Sequence, residues 1–205
     1  MGRATDERAQ SILDFWFLPE TDPEYGKPRE VWFAEGRSID AVVRERFLGD
    51  HEAAAAGAFD DWRDDAETCL ALILLFDQFP RHMFRDTARS YATDPLALAA
   101  ARHALDRGFD QVHPVFKRNF VYLPFTHAED LAAQRQSVEL RKALPESYGN
   151  RDRSILRAVE HMEVIERFGR FPHRNDIVGR ESTPDEIAFL EADPEAWFAK
   201  YRKQA

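Results

Sequence analysis

The sequence contains a single cysteine in 205 residues, which excludes a disulfide framework and the paired-cysteine spacing of structural zinc sites. Cys69 lies in the run CLALILLF, where a thiol among apolar residues indicates a small core side chain. This run of eight residues is the longest apolar stretch, far shorter than a membrane span. The opening MGRATDERAQ lacks the apolar core of a secretory signal. These absences predict a cytoplasmic protein without a membrane partner.

Basic residues are also scarce, since 28 Lys and Arg stand against 37 Asp and Glu, for a formal net charge of −9. A nucleic-acid-binding protein needs a basic face, so this balance argues against a nucleic-acid partner. Apolar residues are plentiful, because 44% of the chain is hydrophobic and 16 residues are Phe. This composition predicts one folded domain over residues 1–205. It leaves the oligomeric state open.

Strand-like alternation is nearly absent, and helical periodicity with capping signals dominates. These signals predict an all-α fold, an antiparallel array of about eight helices joined by short connections. The expected helices are residues 6–17, a helix capped by Ser38 and ending near Gly57, one from Asp64 or Asp65 through Asp77, one from Asp94 to Gly108, Pro114–Tyr122, 127–143, 153–168, and a last pair around Ile187–Leu190 and Trp197. A capping box of Thr126 and Glu129 is expected to open the 127–143 helix, and Thr183 with Glu186 the last pair.

Two carboxylates fall on faces that should be buried. At about 100° per residue, Asp77 lies in the middle of the apolar face of its helix, and Glu166 lies inside the apolar stripe of the 153–168 helix. Both are predicted at helix C-termini, where the helix dipole disfavours negative charge, so each needs a partner. The expected partners follow directly in DQFPR and ERFGRFPHR, where Phe-Pro should end the helix. They are Arg81, Arg167, Arg170 and Arg174.

Two interpretations of this arginine-rich corner remain open. It is either a buried ionic network that fixes helix packing, or a site where arginines with spare donors capture a carboxylate or phosphate. In RFGRFPHRN, Gly169 should end the helix while Phe168 and Phe171 anchor the loop. The predicted ligand-binding residues are Arg81, Tyr122, His127, Arg170, His173 and Arg174, with Asp77 and Glu166 as structural ionic partners.

The stretch YLPFTHAEDLAAQ places His127 on a helical face beside apolar residues. His127 could serve as an acid/base or a hydrogen-bond donor, although a helix cap explains THAED equally well. No HExxH, paired ExxH or cysteine spacing suggests a metal, and nearby arginines would repel a cation. We therefore expect neither metal nor cofactor, and no catalytic residue is assigned.

Three long segments, LILLFDQFPRHMFR, YLPFTHAEDLAAQRQSVEL and RFGRFPHRNDIVGRESTPDEIAFL, together resemble the bacterial family called domain of unknown function 924. The N-terminal ILDFWF and VWF are also similar to it, so the resemblance spans about residues 8–192. It implies a tetratricopeptide-like helical fold and no established activity. Such arrays often bind peptide tails, so a peptide-interaction scaffold is the alternative to a small anion in the arginine and histidine pocket. An enzyme using His127 is the second alternative.

Overall fold

The computed structural model describes residues 6–32 and 39–192, and this part of the chain contains ten α-helices and no strand. The all-α fold class is therefore confirmed, while the tetratricopeptide-like arrangement stays a prediction. No helix within these ranges has both the length and the apolar character needed to cross a membrane. Phe33 of the VWF stretch, the predicted helix cap Ser38 and the helix predicted around Trp197 lie outside the described residues. The helices are α1 Glu7–Phe17, α2 Asp40–Ala55, α3 Ala66–Met83, α4 Asp94–Asp106, α5 Phe109–Val112, α6 Val115–His127, α7 Leu131–Lys142, α8 Arg151–Phe168, α9 Asn175–Val178 and α10 Pro184–Glu191.

The chain divides into two compact units, Met1–Pro124 and Phe125–Ala205. They are called the first and second unit below, and each is described by itself. The expectation of a single domain over 1–205 stays a prediction.

Helix α3 forms the centre of the first unit, where it packs against α1, α2 and α4. The Asp65 side chain caps it by accepting hydrogen bonds from the backbone N–H groups of Glu67 and Thr68. Almost every later residue of α3 is buried, because the helix is apolar nearly all round. Aromatic rings complete this core, with Phe79 lying 4.9 Å from Phe47 between ring centroids.

The predicted end of α3 at Asp77 is wrong, because the helix continues through Pro80 to Met83. A proline inside a helix deprives the carbonyl four residues earlier of its N–H donor. That carbonyl belongs to Phe76, and it accepts a hydrogen bond of 2.8 Å from the Thr93 hydroxyl. A side chain from outside the helix thus replaces the missing backbone bond, and Asp77 lies within α3 rather than at its end.

Helices α7 and α8 pack together in the second unit. Helix α8 ends as predicted at Gly169, whose φ of +70° is the left-handed conformation that glycine adopts without strain. The predicted capping box of Thr126 and Glu129 is wrong, because α6 runs on to His127 and Asp130 caps α7 instead. The Thr126 hydroxyl pairs with Ser137, 2.7 Å away.

The capping box of Thr183 and Glu186 forms as predicted and opens α10. The two four-residue helices α5 and α9 were not predicted, because segments this short show no apolar period.

Candidate functional site

Asp77 and Arg81 lie in the first unit and form the expected ion pair. Asp77 is completely buried, and its carboxylate lies 3.4 Å from an Arg81 guanidinium nitrogen. The same arginine lies 3.0 Å from the carboxylate of Asp94, which opens α4. The Gln78 amide donates a further hydrogen bond to Asp77. These contacts place Arg81 between two carboxylates, which favours a structural role for it.

Tyr122 is buried in the first unit, where its hydroxyl donates a hydrogen bond of 2.7 Å to Asp110. Arg81 and Tyr122 therefore belong to the first unit, whereas the other four predicted ligand-binding residues belong to the second. The convergence of all six on one site stays a prediction.

Glu166 does not lie in the buried stripe of α8, and that part of the prediction is wrong. Its side chain is 56% exposed and makes an ion pair of 3.5 Å with the equally exposed Arg135. The inward acid is Glu160, which is 2% exposed and pairs with Arg157 at 3.1 Å. The reason is geometric, since Glu160 stands one turn before the buried Val164, while Glu166 stands about 200° away from it.

Arg170 makes a two-pronged ion pair with the buried carboxylate of Glu186, through hydrogen bonds of 2.7 and 2.8 Å. Its guanidinium also donates to the carbonyl of Glu181. Glu186 in turn accepts from the backbone of Thr183, so Arg170 ties the loop to the first turn of α10. These contacts favour a structural role for Arg170, and its ligand-binding role stays a prediction.

A second arginine–glutamate pair was not predicted. The Arg180 guanidinium donates hydrogen bonds of 2.6 and 2.9 Å to the Glu129 carboxylate. The backbone N–H of Phe171 donates to the same carboxylate at 2.8 Å. A signal was present in the sequence, because Arg180 follows Gly179 directly as Arg170 follows Gly169. Both glycines end helices in the left-handed conformation, and both arginines then reach a glutamate. The segment 127–130 thus meets the 170–180 loop within the second unit.

Three basic side chains surround the buried Phe171 ring. The His161 and His173 rings each lie 5.6 Å from it between centroids, and the Arg174 guanidinium lies 4.6 Å from it. Arg174 is buried and donates a hydrogen bond of 3.0 Å to the carbonyl of His127. We call His127, His161, His173 and Arg174, with the Phe171 ring, the Phe171 cluster. The prediction that Phe171 anchors the loop by packing inward is confirmed.

The two imidazoles beside Phe171 are held neutral. Desolvation, followed by smaller contributions from the neighbouring His127, His173 and Arg141, lowers the pKa of His161 to about 4. His173 is exposed on one side, yet desolvation by its neighbours and then the charge of Arg174 lower its pKa to about 4, against the opposing effect of the Glu129 carboxylate. The His161 Nδ1 donates to the carbonyl of Arg157, so its Nε2 is the acceptor of the neutral ring.

The Phe171 cluster therefore combines one permanent positive charge, on Arg174, with two imidazoles that desolvation keeps neutral. Within residues 6–32 and 39–192, no three His, Cys, Asp or Glu side chains are grouped so that they could hold a metal ion. Arg174 supplies a guanidinium charge beside the two neutral rings, and protonation of either ring would add an N–H donor.

Comparison with known proteins gives a family but no activity. A family model described as a bacterial protein of unknown function, DUF924, matches residues 12–194. A solved structure of a protein of unknown function from Agrobacterium tumefaciens is 44% identical, with a TM-score of 0.76 over 91% of this chain and 98% of that one. No curated protein matches the sequence. The chain belongs to the DUF924 family of bacterial proteins of unknown function.

Proposed function

We propose that the protein binds a small anion, a carboxylate or an oxyanion such as phosphate, at the Phe171 cluster. The observation that carries this proposal is the gathering of His161, His173 and Arg174 around one aromatic ring, with His127 adjoining through Arg174. These groups come from α6, α8 and the loop that follows α8. A bound anion would interact with the Arg174 charge and would stabilise the protonated form of each neighbouring imidazole.

The two suppressed imidazoles give the site a defined chemistry. A bound anion favours the protonated form of each ring, so binding should raise both pKa values from about 4. Anion binding then takes up protons, and by linkage the affinity should increase as the pH falls from 7 towards 5. A protonated His161 would keep its Nδ1 bond to Arg157 and present an Nε2–H donor.

The size of the ligand follows from the charge of the chain. With a formal net charge of −9, the whole protein repels a large acidic partner, whereas a small anion experiences mainly the local field. Arg174 supplies a charge that does not titrate, and its contacts with the His127 carbonyl and the Phe171 ring hold it in place.

Calorimetric titration with sodium sulfate tests the proposal, with sodium chloride of equal ionic strength as the reference. We expect saturable binding that is tighter at pH 5.5 than at pH 7.5, and a heat that depends on the buffer because protons are taken up. Sulfate at ten times its dissociation constant should stabilise the fold by about 1.4 kcal/mol.

His173→Gln should weaken sulfate binding roughly fivefold, since it removes one charge-assisted donor. The matched control is Arg135→Gln, which removes an exposed positive charge from the same unit outside the cluster. Equal affinity in His173→Gln and wild type would show that sulfate does not bind at His173. Equal weakening in Arg135→Gln would show that sulfate responds only to overall charge. The peptide scaffold and the His127 enzyme stay predictions.

A further inference from the structure

The first unit contains a cleft of about 390 Å³ at the C-terminal end of α1. This volume lies within the range of small-molecule sites. Its wall is formed by the apolar residues Leu13, Phe17, Leu18 and Pro19. Leu18 has a φ of +71°, and the chain turns away from the helix at this residue. A more open cleft of about 540 Å³ shares Gln10, Asp14 and Pro19 with it.

The floor of the cleft is an ion pair. Lys117 is buried, and its ammonium lies 2.9 Å from the Glu67 carboxylate. The same ammonium lies 5.6 Å from the Phe17 ring and 5.8 Å from the Tyr25 ring, within cation–π range. Glu67 also faces His113 at 3.3 Å. The positive charge on the floor is thus already matched by a carboxylate.

The rim carries two further carboxylates, and the groups that donate to them are neutral. Asp14 accepts a hydrogen bond of 2.7 Å from the Gln10 amide, and Glu20 accepts one of 3.3 Å from the Tyr25 hydroxyl. Across residues 6–32 and 39–192, neither of them has an ion pair with a basic side chain. The cleft therefore combines apolar and aromatic walls with more negative than positive charge.

We propose that this cleft binds a small organic cation, a primary amine whose alkyl part packs against Leu13 and Phe17 while its ammonium lies between Asp14 and Glu20. An ammonium offers three donors to carboxylate oxygens, and it also interacts favourably with an aromatic face. The ligand then supplies a positive charge for Asp14 and Glu20. The site lies wholly within the first unit and does not depend on the anion proposed for the second.

The test compares three probes of equal length, n-pentylamine, 1-pentanol and pentanoate, in titrations followed by two-dimensional amide NMR of the full chain. The amine should produce saturable shifts of the Thr21 and Tyr25 amides at millimolar concentration, and the other two probes should not. Glu20→Gln and Asp14→Asn should each weaken amine binding roughly fivefold, as loss of an exposed charge contact does. Both side chains lie at the surface of the unit, so these variants should retain the wild-type spectrum elsewhere.

Glu24→Gln is the matched control, since Glu24 is an exposed acid of the same loop that pairs with Lys27 outside the cleft. It should bind the amine like wild type. The proposal is overturned if the amine gives no saturable shift, if 1-pentanol binds as tightly as the amine, or if Glu24→Gln weakens binding as much as Glu20→Gln does. Binding of the amine with wild-type affinity in both Glu20→Gln and Asp14→Asn would also show that the amine binds elsewhere.

Discussion

The segments DQFPR and RFGRFPHRN look alike in sequence, yet they do different things in the structure. In the first, the chain stays helical through Pro80, and Arg81 lies between the carboxylates of Asp77 and Asp94. In the second, the chain leaves the helix at Gly169, and Arg174 lies beside a carbonyl and an aromatic ring with two imidazoles close by. An arginine of each segment has carboxylate partners, Asp77 and Asp94 for Arg81 and Glu186 for Arg170. Only the second segment adds an arginine beside two neutral imidazoles.

The comparison shows that an arginine next to Phe-Pro does not by itself mark a binding site. What distinguishes the two segments is the set of groups that each arginine contacts directly. Where carboxylates are buried with the arginine, the network holds the fold together. Where an arginine lies beside imidazoles that desolvation keeps neutral, a bound anion would raise the imidazole pKa values.

The largest expected effect concerns the DQFPR segment, in which Arg81 lies between two carboxylates. Asp77→Ala should destabilise the protein by about 3–5 kcal/mol, because it leaves the Arg81 charge short of one buried partner. Urea denaturation measures this loss. The matched control is Glu166→Ala, which removes an exposed carboxylate and should change stability by less than about 0.5 kcal/mol. Similar values for the two variants would remove the distinction between a buried and a surface acid.

The next effect concerns the Phe171 cluster and the dependence of protein stability on pH. The pKa of His161 is about 4 in the folded protein, whereas an unfolded histidine titrates near 6.5. The unfolded state then binds more protons as the pH falls, so stability is complete above about pH 6.5 and declines towards pH 4. The decline should amount to about 2 kcal/mol, allowing for partial exposure of the ring.

Denaturation series between pH 7.5 and pH 4.5 measure this decline for wild type and for His161→Gln. The variant should show a shallower dependence even if it is less stable throughout. If stability depended on pH equally in both proteins, His161 would not be held neutral in the fold, and the Phe171 cluster would not have the lowered histidine pKa described above.

A smaller effect concerns the hydrogen bond that lets α3 continue through Pro80. Thr93→Val should cost about 1–2 kcal/mol, because it leaves the buried Phe76 carbonyl without a donor. In a Pro80→Ala background, residue 80 regains its N–H and the same change should cost much less. A double-mutant cycle measures the difference. Additive effects would show that Thr93 does not replace the helical bond.

The sequence predicts much of the fold and less of the site. Amphipathic periods and glycine stops located α1, α4 and α8, because these signals are local. The continuation of α3 through Pro80 depends on Thr93, thirteen residues further on, and no local rule reports that bond. The inward acid of α8 was misplaced for a related reason, since the stripe is broad and the choice between Glu160 and Glu166 is made by packing.

The candidate site shows the same division. The helix stop and the inward Phe171 follow from residue types, and both are confirmed. Which arginine pairs with which acid does not follow, because each pair joins residues far apart in the chain. Arg180 and Glu129 are separated by 51 positions. Arg170 pairs with Glu186 and not with Asp77 or Glu166, the two acids predicted for the corner.

The most direct test of anion binding is an NMR titration of the His161 and His173 rings, with and without saturating sulfate at constant ionic strength. We predict that sulfate raises both pKa values from about 4 by roughly one unit or more, because the bound anion stabilises each imidazolium by about 1.4 kcal/mol per unit. His51 in the first unit, whose pKa is lowered by burial and whose ring hydrogen-bonds the Leu75 carbonyl, serves as the internal reference and should titrate alike in both salts. Unchanged titration of His161 and His173 in sulfate would contradict an anion site at the Phe171 cluster.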